Sequence, residues 1–160
     1  MSVVQVNNIG DVAWTDTVVW SQLGAENIAL SGQVAIVTTL GAAGIIDMGS
    51  AVPGTYAGGA WNLSRQTPIG VSWEGNFTSG NYLAEAADNT PIEVPPIQIS
   101  FTNPVKAIGA NMQASDLGQF DGTLKVYDSS LVLLASYTRV DGNSTTAADG
   151  SAIFLGASST

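Results

Sequence analysis

The stretch "TLKVYDSSLVLLASY" (Thr123–Tyr137) constrains the fold more than any other part of the chain. In "TLKVYD", Leu124 and Val126 face one way while Lys125 and Tyr127 face the other, which is the two-residue period of a β-strand. Asp128, Ser129 and Ser130 then supply turn chemistry ahead of a second apolar run, so the stretch reads as an antiparallel hairpin. Similar short runs between turn residues recur along the sequence. They predict strands at Val3–Val6, Thr17–Trp20, Val34–Thr39, Ile69–Glu74, Ile97–Thr102, Val105–Gln113, Thr123–Asp128, Leu131–Arg139 and Ala152–Leu155. That spacing suits an all-β fold, an antiparallel two-sheet sandwich of jelly-roll type.

Proline marks the joints. In "TPIEVPPIQ", Pro91, Pro95 and Pro96 withhold backbone donors, which predicts a crossover leading into Ile97–Thr102. The one helix candidate is "NYLAEAADN", barely two turns long and ending at Asn89 ahead of Pro91. "SAVPGTYAGGAWNLS" has a linker's composition, but splitting there leaves pieces of about 60 and 100 residues, the first too poor in strands for a core of its own. The 160 residues are therefore expected to form a single domain. No fixed-period repeat appears, which sets aside propellers and solenoids.

The chain has no cysteine and no histidine. Disulfides, thiolate metal sites, Ser-His-Asp and Cys-His arrangements and the usual catalytic zinc ligands are thereby excluded. Four Lys and Arg stand against 13 Asp and Glu, a formal net charge of −9, which opposes binding to nucleic acid or to anionic lipid. Only 11% of residues are charged, against about a quarter in typical globular domains. This balance favours an extracellular or assembled protein, and the location expected is extracellular or cell-surface. No apolar stretch approaches the roughly 20 residues needed to span a bilayer, so membrane insertion is not expected, and "MSVVQVNN" lacks the features of a signal peptide.

Several constellations bear on function. A serine nucleophile would need Lys106 or Lys125 as its base, and both lie in strand patterns where an outward, solvated lysine is the simpler reading. Glu74, Glu85 and Glu93 are candidates for a carboxylate-based glycosidase, a chemistry that needs two carboxyl groups about 5 to 10 Å apart. Asp141, Asn143 and Asp149 offer clustered oxygens to a structural calcium ion. Counted from Asp141, however, Thr146 stands where an EF-hand loop needs glycine, and Ala152 where it needs a bidentate glutamate. Of the four tryptophans, Trp20 and Trp73 are expected to face inward. Trp61, within "YAGGAWNLS", is the candidate for stacking on a sugar, which makes a polysaccharide the alternative partner. Asn62, Asn76 and Asn143 begin Asn-x-Ser/Thr triplets, which a chain this rich in these residues shows by chance. "WEGNFTSGNYL" reads as the end of the strand Ile69–Glu74 running into a turn at Gly75–Gly80, with Trp73 and Phe77 anchoring it in the core.

From "DTVVWSQLG" (Asp16–Gly24) onward the chain resembles a family of secreted bacterial β-sandwich domains of unknown function found in PEP-CTERM-type exported proteins. Trp73, Gly75, Asn76, Phe77 and Gly80 match its Trp-x-Gly-Asn-Phe-x-x-Gly segment. "ISFTNPVKAIGANMQ" resembles its Phe-x-x-Pro-Val strand pair, "FDGTLKVYDSSLVLLASY" its next hairpin and "DGSAIFLGASS" its closing segment. The resemblance implies an exported jelly-roll-like domain with no family-wide catalytic set to carry over; apart from the structural calcium candidate, no cofactor is expected. It also implies one more strand after Phe154-Leu155-Gly156, where this sequence stops at Thr160.

Without that strand an open sheet edge is expected, of the kind that recruits a strand from another chain. "SVVQVNN" alternates as a strand, so Ser2–Asn8 is expected either to donate to a neighbour's edge and build an oligomer or fibre, or to pair within its own sheet. The function expected is that of a non-enzymatic structural or adhesive domain, with a carbohydrate-binding module and then a glycosidase as alternatives.

Overall fold

The computed structural model describes residues 2–25, 28–30, 33–48, 60–65, 75–87 and 96–160. Eleven strands lie among them: β1 (Val3–Val6), β2 (Ile28–Leu30), β3 (Val34–Val37), β4 (Ala43–Met48), β5 (Ala60–Arg65), β6 (Tyr82–Ala87), β7 (Ile97–Phe101), β8 (Ala107–Met112), β9 (Gly118–Tyr127), β10 (Leu133–Ser144) and β11 (Ile153–Ser159). Every pairing between them is antiparallel. They form the sheets β1-β11-β8, β3-β4-β7 and β2-β5-β6 and the hairpin β9-β10. The described residues are thus all-β.

Two expectations are corrected. Tyr82–Ala87, inside the expected helix, is strand β6, whose residues pair one by one with β5 from Tyr82 opposite Arg65 to Ala87 opposite Ala60. Leu, Ala and Glu favour a helix locally, but pairing with a neighbouring strand overrides that small preference. Thr17–Trp20 is extended but not a sheet strand: Val18 makes one isolated bridge to Thr38, and at Trp20 the chain turns into a short 3-10 helix, Trp20–Leu23. The expected strand Ile69–Glu74, with Trp73, lies outside the described residues, as do Pro91 and Pro95.

Among the described residues, packing centres on two regions. In the first, Ile36 of β3 and Ile46 of β4 are fully buried, with Val18, Trp20, Leu23, Ala84 and Ile99 packed around them. Trp20 therefore faces inward as expected, from a 3-10 turn instead of a strand. The second surrounds β11, the middle strand of its sheet, which buries Phe154, Leu155 and Ala157. Burial of successive residues means that both faces of this strand are covered. On one face the Phe154 and Trp14 rings meet in a T-shaped contact, with centroids 5.7 Å apart. On the same face Gly109 leaves room for that ring, because a Cβ there would overlap it. The β9-β10 hairpin covers the other face, where Gly122 sits against Met112 and Ile153.

The hairpin itself follows from its sequence. Along β9, Phe120, Gly122, Leu124 and Val126 turn inward while Gln119, Asp121, Thr123 and Lys125 face solvent. Its turn is closed by Asp128, whose Oδ1 accepts the N–H groups of Ser130 and Val132 at 2.8 and 2.9 Å. Leu131 takes the left-handed conformation there, at φ 61°. Farther along, Arg139 opposes Gly122 and Gly142 opposes Phe120, so Val140 and Asp141 share the place opposite Asp121 as a bulge. Glycine closes it, since a Cβ at 142 would lie 2.7 Å from the Phe120 carbonyl oxygen.

Candidate functional site

The two ends of the chain lie side by side. Val3 opposes Ser159 and Val6 opposes Gly156, and the Thr160 N–H donates to the Ser2 carbonyl at 3.0 Å. In an antiparallel ladder, opposed residues alternate between hydrogen-bonded and non-bonded pairs. The bond from Thr160 to Ser2 therefore makes 2/160, 4/158 and 6/156 the bonded pairs. The backbone groups of Val3, Gln5 and Asn7 then point away from β11, toward what would otherwise be an unpaired edge.

Two side chains of β10, two residues apart and on one strand face, meet that edge. The Tyr137 hydroxyl donates to the Val3 carbonyl at 2.6 Å. Arg139 Nη1 donates to the carbonyls of Asn7 at 3.2 Å and Phe154 at 3.0 Å. Since β1 ends at Val6, its ladder with β11 stops at Gly156, and the guanidinium joins the two strands where they diverge. Asp141 holds it in place, receiving Nε at 2.8 Å and Nη2 in a forked pair. Hydrogen bonding from Arg139 lowers the Asp141 pKa, and hydrogen bonding to Asp141 raises that of Arg139.

The segment after β1 folds on itself and meets the same sheet through the Trp14 ring against Phe154. Asn8 and Asp11 close a short 3-10 turn by a capping box, and the Trp14 indole N–H donates to the Ile9 carbonyl. The edge expected to stand open beside Phe154-Leu155-Gly156 is therefore occupied by the chain's own Val3–Val6. That is the within-sheet outcome.

Other polar side chains also bind backbone. The Gln22 amide reproduces a strand's pairing on the outer side of β3, accepting the Val37 N–H at 2.7 Å and donating to the Val37 carbonyl at 3.0 Å. Asp16 gathers the hydroxyls of Thr38 and Thr39 and the N–H groups of Leu40 and Thr17. Desolvation raises its pKa, but these hydrogen bonds outweigh it and hold the carboxyl at about 2. Asn76, 4% exposed, receives the Thr145 N–H at 2.6 Å and donates to Ser151 at 2.7 Å, so this amide is an internal brace between two loops.

Among the described residues, Asp141, Asn143 and Asp149 do not form a joint site. Asp141 is held by Arg139, Asn143 lies exposed opposite Gln119 on the hairpin, and Asp149 accepts the Ser151 N–H within its own turn at 2.9 Å. Among the described residues no three or more acidic side chains cluster as metal ligands would. Trp61 occupies β5 between Leu30 and Ala86. Glu85 is half-buried on β6 opposite Asn62, while Glu74 and Glu93 lie outside the described residues. Lys106 and Lys125 are exposed.

Tyr137 and Arg139 were not singled out by sequence. The only available signal was an arginine inside an otherwise apolar and hydroxyl-bearing strand, in a chain with four basic residues. Comparison with family models, curated proteins and solved structures gave no match, so the seam between the chain's ends is read on its own geometry.

Proposed function

We propose that this chain is a non-enzymatic β-sandwich domain, acting outside the cell or on its surface as a structural or adhesive component that assembles through strand addition. The observation that carries the reading is the pair Tyr137 and Arg139, which bind the Val3 and Asn7 carbonyls of the chain's own N-terminal segment along the edge of its sheet. Groups aimed at peptide carbonyls are chemistry for receiving a polypeptide strand, the mode in which main-chain bonds supply affinity and flanking side chains set register. Asp16, Gln22 and Asn76 extend the argument, since each joins segments of the scaffold. The low content of charged residues supports an exposed, assembled setting.

Light scattering behind size exclusion, at rising protein concentration, tests the reading, with electron microscopy of any heavy fraction. Oligomers or fibres that grow with concentration are expected. A mass that stays monomeric throughout overturns assembly as the function.

A further inference from the structure

We propose that the N-terminal strand exchanges between molecules: the edge formed by β11, Tyr137 and Arg139 receives Ser2–Asn7 of a second copy in the register in which it holds its own. This rests on the assembly reading above and names its partner and its acceptor.

Three observations carry it. First, recognition runs through backbone: the Thr160 N–H meets the Ser2 carbonyl, Tyr137 meets that of Val3 and Arg139 that of Asn7. A strand from another copy presents the same groups in the same order. Second, β1 is lightly held. Of its four residues only Val6 is buried, and Val4 is 41% exposed, so opening uncovers little apolar surface. Third, the opened edge is costly to leave empty. It exposes one side of the β11 ladder and removes the acceptor of Tyr137 and one acceptor of Arg139, the Asn7 carbonyl, and unpaired edges of this kind recruit strands.

The ends that meet are also those farthest apart along the chain. Closing the molecule on itself carries the entropy of the longest loop the sequence can make. A second copy competes with that closure when local concentration rises, as in a surface layer. The two paths diverge after Asn7, while Trp14 stays against Phe154.

The absence of native cysteine gives a direct test. Val3 and Ser159 form a non-bonded pair, the arrangement in which opposed residues of antiparallel strands come closest. Full-length Val3→Cys and Ser159→Cys chains are mixed at high concentration under a mild thiol–disulfide buffer, with Lys125→Cys plus Ser159→Cys as the control pair. Exchange predicts a mixed Val3→Cys/Ser159→Cys dimer several-fold above random pairing, with the control pair at random proportions. Random proportions in both mixtures overturn it.

Light scattering of the unmodified chain separates the two ideas. Particles accompanied by random cross-linking mean that assembly stands and exchange falls. A monomer at every concentration together with selective cross-linking means that exchange stands and the assembly reading falls.

Discussion

At the scale of single residues, Arg139 does the most joining, because one guanidinium ties β10 to both ends of the chain. Replacing it with Ala is expected to cost about 2 kcal/mol, the range for two charge-assisted bonds to partly buried carbonyls, read as a lower denaturant midpoint. Arg139→Lys is expected to recover only a minor part, since an ammonium cannot hold Asp141 in a fork while reaching two carbonyls. Asp16 sets a pH dependence. Its folded pKa, about 2, lies below the ordinary 3.8, so its contribution is full above the ordinary value and is lost as pH falls through the folded one. Asp16→Asn is accordingly expected to melt below the parent near neutral pH, with the gap narrowing as pH falls from 3.8 to 2. Neither role was legible in sequence. An aspartate before Thr-Val-Val carries no sign that Thr38 and Thr39 will close over it, and Tyr137 and Arg139 gain meaning only beside a strand at the far end of the chain.

At the scale of elements, alternation was informative where strands have one wet face. Strands β1, β3, β7 and β8 were read within two residues of their ends, and the β9-β10 hairpin was read at its turn, though β9 starts and β10 ends five residues beyond the expected bounds. β2, β4, β5 and β6 escaped: "IAL" is short, "AGIIDM", "AWNLSR" and "YLAEAA" mix small, polar or helix-favouring residues, and pairing with partner strands makes them strands. The hairpin turn is a place to gain stability. Leu131 is 42% exposed in a left-handed conformation, so Leu131→Gly is expected to raise stability by about 0.5–1 kcal/mol, measured as a shift in denaturant midpoint. Strand β1 should open separately from the rest. Amide exchange at Val4 and Val6 is expected to run about tenfold or more faster than at Leu155 and Ala157, whose strand is covered on both faces; equal protection would mean that β1 opens only with the whole fold.

At the scale of the molecule, the sequence pointed correctly to an all-β antiparallel chain. Long-range order among the sheets was not legible, because β1-β11-β8 is assembled from both termini and the middle, and local pattern does not encode such distant partners. The bond between Thr160 and Ser2 also has a mechanical meaning. Both ends leave the domain at one corner, so anything attached to either end emerges on the same side. Tension applied between Ser2 and Thr160 meets the outermost rung of the β1–β11 ladder and peels it one bond at a time instead of loading all rungs together. Pulled by its termini, the domain should yield first at that seam, and β1 acts as a tear strip that parts before either buried core is strained.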